Sequence, residues 1–204
     1  VWDANGGLYI YGAGTGYGES VANLASGKSM TLAGNASSYD QIYGPGTFNN
    51  AGTITKSGSG IFYIDSKFNN TGTLFANGGR VEVTTTTGLA QWDVSTQTLN
   101  AGTYRVTGTQ PIALNLGYEP STSIPALIKV NKANVYLKNA GAAIVTTTPD
   151  PDVNALTTLA TNSGTLSLTS GAQLATTVAL KNNLTGQLVV GSGSTLTVGG
   201  SGLR

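Results

Sequence analysis

Phe48-Asn49-Asn50-Ala51-Gly52-Thr53-Ile54 returns twenty residues later as Phe68-Asn69-Asn70-Thr71-Gly72-Thr73-Leu74. Looser echoes follow at Leu99-Asn100-Ala101-Gly102-Thr103-Tyr104, Leu137-Lys138-Asn139-Ala140-Gly141 and Thr161-Asn162-Ser163-Gly164-Thr165-Leu166. A repeat of this length is one supersecondary unit stacked on copies of itself. If the units stack as parallel strands, each residue lies about 4.8 Å above its counterpart. Stacked asparagine amides then hydrogen-bond along the axis, as in other stacked-strand assemblies. A glycine two positions on permits positive φ at the corner. Phe48 and Phe68 stack inside the core, and Thr53 and Thr73 begin the next strand. The expected structural ladder is Phe48, Asn50, Gly52, Phe68, Asn70, Gly72, Asn100, Gly102, Asn162 and Gly164.

The composition suits such an arrangement. Charged residues are 9% of the 204, against about 25% in an ordinary domain. Glycine, at 29 residues, is roughly twice its average usage. Thr, Ser and Asn fill the rest, and all three are poor helix formers. The hydrophobic content of 39% alternates with polar residues, unlike that of a disordered chain. Short strand signals recur at Leu8–Tyr11, Ser29–Leu32, Ile61–Ile64, Arg80–Val83, Tyr104–Val106, Ala113–Leu116, Asn134–Leu137, Thr165–Leu168, Leu188–Val190 and Thr195–Val198. Gly, Asn, Ser or Asp separate them at turn positions. Only Val153, Leu156, Leu159 and Ala160 have a helical period, which predicts one short helix with Asp152 as its N-cap.

An antiparallel sandwich needs hairpin turns, and only Asn5-Gly6-Gly7 and Asn77-Gly78-Gly79 are good examples. The recurrent Asn-x-Gly favours a right-handed, single-stranded parallel β-helix instead, a β-solenoid. Coils of about 20–30 residues give about eight or nine layers and a rod of roughly 40 Å. Residues 1–45 read as an aromatic- and Gly-rich coil or end cover, and residues 46–204 as one continuous run of repeats. Excursions are expected around Thr84–Gly88 and from Thr147 to Leu159, and the corner at Lys181–Gly186 carries extra residues.

The run from Phe48 to Val83, with Gln97–Val106 and Leu188–Val198, resembles β-helical repeat segments of large bacterial surface proteins. These are the filamentous-haemagglutinin-like and autotransporter-passenger-like proteins. The resemblance covers the chain from about residue 46 onward. It implies secretion to the cell surface, a very long parent chain, and a role in adhesion, matrix or fibre formation. It supplies no catalytic residues to carry over. The start at Val1, with neither Met nor a signal peptide, reads as a processed chain or an excised segment.

The search for chemistry excludes more than it finds. The absence of His and Cys removes Ser-His-Asp and Cys-His hydrolysis and His- or Cys-based zinc sites. Ten cations and nine anions are scattered singly, so no basic stripe tracks nucleic acid. No apolar run is long enough to span a membrane as a helix. Gly12–Gly18 lacks the helix and the Lys-Ser/Thr of a phosphate loop. Asp65 and Glu82, with Arg80 or Lys67 nearby, are the carboxylates able to meet on adjacent coils, as glycosidase or lyase chemistry would need. An exposed ion pair accounts for them equally well. Asp150-Pro151-Asp152-Val153-Asn154 begins like a calcium loop but lacks its Gly and distal Glu. Trp2, Tyr9, Tyr11, Tyr17, Tyr39 and Tyr43 cluster near the start, as an end cover or a glycan or partner surface. Thr84–Thr87 and the Thr-x-Thr pairs shift from coil to coil, unlike the regular grid of an ice-binding face.

The sequence therefore points to a non-enzymatic structural segment of an extracellular adhesin, matrix or filament protein. Such a segment needs no cofactor or metal and self-associates by end-to-end stacking, into fibres or with more of a longer chain. A carbohydrate-binding or polysaccharide-cleaving β-helix is the alternative.

Overall fold

Along Ile61–Asn70 every second side chain is buried. Phe62, Ile64, Ser66, Phe68 and Asn70 point inward, while Ile61, Tyr63, Asp65, Lys67 and Asn69 are more exposed. This is the period-two signature of a strand lying on a core. The computed structural model describes residues 7–10, 21–34, 39–84, 89–117, 125–147 and 152–204. The described residues form an all-β protein of short strands, with no helix among them.

The strands gather into parallel sheets. In the first sheet, Gly7–Tyr9, Tyr39–Asn50, Ile61–Asn70, Arg80–Val83, Ile112–Leu114 and Ile144–Thr146 lie side by side, with Val21–Leu24 also on Tyr39–Asn50. In the second, Ser29–Leu32, Thr53–Lys56, Thr73–Asn77, Thr103–Thr107, Asn134–Lys138, Thr165–Thr169 and Gln187–Val190 follow in chain order. Thr98–Leu99, Val130–Asn131, Thr161–Asn162 and Lys181–Asn182 make the third, and Gln173–Thr176 pairs with Thr195–Val198 in a fourth. Two short strands pair antiparallel, Trp92–Asp93 in the third sheet and Val153–Asn154 at the end of the first. Parallel neighbours cannot be joined by a tight hairpin. The chain accordingly alternates between the first two sheets from Tyr39–Asn50 through Thr53–Lys56, Ile61–Asn70, Thr73–Asn77 and Arg80–Val83. Each pass thus lays its strands beside those of the pass before.

The register places apolar residues in columns. Ile42, Ile64, Val83 and Leu114 are successive partners in the first sheet. Ile54, Leu74, Tyr104, Val135, Leu166 and Leu188 are successive partners in the second. Phe48 and Phe68 stack with ring centroids 5.8 Å apart and planes inclined by 22°. All but Leu188, which is partly buried and packs against it, belong to one continuous core. Burying each such side chain contributes about 1.5–3 kcal/mol before chain entropy is charged against it.

The helix expected near Val153–Ala160 is absent. Val153–Asn154 is a strand, and two turns follow. Asn154 Oδ1 accepts from the Leu156 N–H (2.9 Å), and the Leu159 N–H donates to the Leu156 carbonyl (3.1 Å). Consecutive turns bury Ala155, Leu156 and Leu159, so their spacing imitates a helical face. Asp152, expected as a helix cap, pairs with Arg80. Of the two expected excursions, residues 85–88 and 148–151 lie outside the described residues. So do the Gly12–Gly18 stretch, Trp2, Tyr11, Tyr17 and Asp150.

Candidate functional site

The corner that leads into the second sheet carries the expected ladder in two pieces. Asn50 Nδ2 donates to Asn70 Oδ1 at 2.8 Å, and Asn50 Oδ1 accepts from the Gly52 N–H at 3.1 Å. Further along, Asn131 Nδ2 donates to Asn162 Oδ1 (2.9 Å), and Asn162 Nδ2 donates to Asn182 Oδ1 (2.8 Å). Asn50, Asn70, Asn131 and Asn162 are fully buried, and each buried amide left unpaired would cost about 1–3 kcal/mol. Asn131 precedes no glycine: Ala133 stands two positions on and donates its N–H to Asn131 Oδ1 (3.1 Å). An Asn-x-Gly search therefore misses it. Asn182 keeps its place although the corner is longer, and the extra residues leave Leu184 fully exposed.

Asn100 does not join the column. Leu99 is the register partner of Asn131 and occupies the inward position. Asn100, Ala101 and Gly102 separate Leu99 from Thr103, whereas only Lys132 and Ala133 separate Asn131 from Asn134. The extra residue turns Asn100 outward, where it is exposed, and Gly102 takes φ +89°. The interruption leaves its mark: Asn70 Nδ2 and the Tyr104 hydroxyl are buried, and neither makes a hydrogen bond of full geometry. Burial pushes the Tyr104 hydroxyl pKa up, and the neighbouring Asn70 amide opposes that shift.

The other ladder glycines work differently from the expectation of positive φ. Among Gly52, Gly72 and Gly164 none has φ in the left-handed range. A Cβ on Gly72 would stand 2.1 Å from the Gly52 carbonyl oxygen, and one on Gly164 2.1 Å from that of Ala133. Glycine is needed at these corners for close approach of successive passes.

A second, outer column was not anticipated. Asn49 Nδ2 donates to Asn23 Oδ1 (2.8 Å), Asn69 Nδ2 to Asn49 Oδ1 (3.0 Å), and Gln91 Nε2 to Asn69 Oδ1. Gln91 Oε1 also accepts from the Asn70 backbone N–H (2.8 Å), so the residue that ends the outer column is tied to the main chain beside the inner one. The doubled asparagines of Asn49-Asn50 and Asn69-Asn70 were the available signal, since neighbours on a strand face opposite ways.

The outer face of the first sheet gathers the remaining chemistry. Gln41, Tyr63 and Glu82 are successive register partners, as are Tyr9, Tyr43 and Asp65. Asp65 and Glu82 therefore lie on a diagonal and form no pair. Asp65 Oδ1 accepts from Thr84 Oγ1 at 3.1 Å. Glu82 accepts from Arg80 Nε at 2.8 Å, and Arg80 Nη2 reaches Asp152 Oδ1 at 3.0 Å across 72 residues. The Asp152 carboxylate raises the Arg80 pKa against the opposing effect of burial, so the guanidinium stays charged. Asp152 is thus engaged by a cation, and the described residues contain no group of three acids, His or Cys arranged to hold a metal. The pKa of Asp93, at the end of the Trp92–Asp93 strand, is held down at about 2 by hydrogen bonds from the Ser95 and Thr96 hydroxyls. Gln41, Tyr63, Asp65 and Thr84 line an open cleft of about 330 Å³.

Compared with known proteins, the chain matches no family model, no curated protein sequence and no solved structure.

Proposed function

We propose that the chain is a right-handed parallel β-helix, a structural segment of a secreted bacterial adhesin, matrix or filament protein that associates end to end. The observation that carries this reading is the last layer of strands. Gln187–Val190 stands at the end of its sheet, Thr195–Val198 pairs only with Gln173–Thr176, and Gly202–Arg204 runs parallel along Leu180–Asn182 as the outermost piece there. Val189 and Val190 are each 45% exposed there, and Leu203 57%. An open strand edge with apolar side chains is a template for another parallel layer. A second copy, or more of the same chain, would cover it by the pairing used throughout the interior. The sparse charge, the asparagine columns and the resemblance to surface-protein repeats support the same role.

X-ray scattering and electron microscopy over a concentration series test this reading. The expected result is elongated particles that lengthen with concentration. Lys in place of Val189 and Val190 blunts the edge and stops the growth. Compact, monodisperse monomers at the highest concentration would overturn the reading.

A further inference from the structure

The cleft on the first sheet differs from the rest of the outer surface in what it brings together. Tyr63 supplies an aromatic surface, Gln41 an amide that both donates and accepts, Asp65 a carboxylate and Thr84 a hydroxyl. Three successive strands, Tyr39–Asn50, Ile61–Asn70 and Arg80–Val83, hold these groups in fixed register, and Thr84 directly follows the last. The aromatic strip continues away from the cleft: Tyr43 is the register partner of Asp65, and the Tyr9 ring meets it edge-on at 5.0 Å.

Charge narrows the ligand class. Arg80 is engaged by both Glu82 and Asp152, and so offers no open cation to a phosphate or sulfate. Lys67 lies two residues beyond Asp65 on the same strand, which balances the one carboxylate of the cleft. A ligand seated here is therefore neutral overall, has an apolar face for a phenol ring, and carries hydroxyls for the amide and carboxylate. At about 330 Å³ the cleft falls at the small end of the ~300–1,000 Å³ range of small-molecule sites. Its open side lets a longer chain pass through.

We propose that this cleft binds a short stretch of a neutral oligosaccharide. Tyr63 stacks on the sugar C–H face, and Gln41 and Asp65 hold hydroxyl groups. Thr84 orients the Asp65 carboxylate through their hydrogen bond. The site is independent of end-to-end association, because it lies on a lateral sheet face and not at the terminal edge.

Calorimetry with neutral hexasaccharides of β-1,4-glucan, β-1,3-glucan and α-mannan, and with a heparin hexasaccharide as the polyanionic arm, tests the proposal. Saturable binding of at least one neutral oligosaccharide is expected, weakened about tenfold or more by Tyr63→Ala. Gln41→Ala weakens it several-fold and serves as the readout if the tyrosine variant fails to fold. The edge-blocked Val189→Lys/Val190→Lys protein is expected to bind equally well, which separates this site from fibre formation. Three outcomes would sink the proposal: no saturable binding of any neutral probe at roughly 10 mM, a preference for heparin, or unchanged affinity in a folded Tyr63→Ala or Gln41→Ala protein.

Discussion

Asn162 stands in the middle of three bonded amides, and its neighbours depend on it. Replacing it with Ala removes one acceptor of Asn131 Nδ2 and the donor to Asn182 Oδ1. A loss of about 2–4 kcal/mol is expected in urea unfolding, since Asn182 Oδ1 loses its donor and the bonds from Asn162 Nδ2 to the Gly164 and Gln187 carbonyls go too, while Asn131 Nδ2 keeps the Ala133 and Thr165 carbonyls. Asn100→Ala, at an exposed position, should stay within about 0.5 kcal/mol of the parent. Equal costs for the two substitutions would contradict the column. Both residues read identically in the sequence, as Asn-x-Gly before a Thr-led strand. One extra residue behind Leu99 separates them, and only the register of Leu99 with Asn131 reveals it. The glycines were legible as corner residues, but the physical reason was not: the obstructing carbonyl belongs to a different pass of the chain.

At the scale of the strand, Thr53–Lys56 repeats the Thr73–Asn77 pattern but ends in a lysine that points inward. Lys56 is the register partner of Leu32 on one side and Ala76 on the other, and is fully buried. Its ammonium donates to the Gly34 carbonyl (2.8 Å) and meets Asp40 Oδ2 at 3.2 Å, while Asp40 Oδ1 has no partner. A buried pair of this kind gains little net stability, yet removing one member strands the other. Lys56→Met alone should cost about 3–5 kcal/mol, and Asp40→Leu a similar amount. The double variant should come back to within about 1 kcal/mol of the parent or exceed it, a non-additivity measurable in a double-mutant cycle. Additive losses would refute the coupling. The strand itself was visible in the sequence. The direction of Lys56 was not, because scattered charges read as solvated, and Asp40 is supplied by another strand. On the outer face of the same sheet the opposite solution appears: the Arg105 guanidinium lies 4.9 Å from the centroid of Phe75 and 5.9 Å from that of Tyr136. A cation is sheltered there between rings of the two adjoining strands, each a register partner of Arg105.

For the molecule as a whole, the second sheet sets the pattern: its interior strands have a parallel neighbour on each side and its terminal strands have one. Opening should therefore proceed inward from the last layer. Hydrogen exchange is expected to be slowest for Thr103–Thr107, Asn134–Lys138 and Thr165–Thr169, and fastest for Gln187–Val190 and Thr195–Val198. Uniform protection would instead mean a single cooperative unit. The parallel layering was legible because the chain repeats its own words at the distance of one pass. The lateral cleft was not, because Gln41, Tyr63 and Thr84 share no motif and meet only through register. The stretch 53–72 is itself a unit of length: it begins on a second-sheet strand and ends at the glycine before the next. A tandem duplication of this stretch would set asparagine against asparagine and phenylalanine against phenylalanine at both seams. The one misfit would be a spare Lys56 without its aspartate, cured by the alanine that the following layer already uses. Genes for such chains can then grow or shrink by whole layers through slippage, changing reach without redesigning the interior.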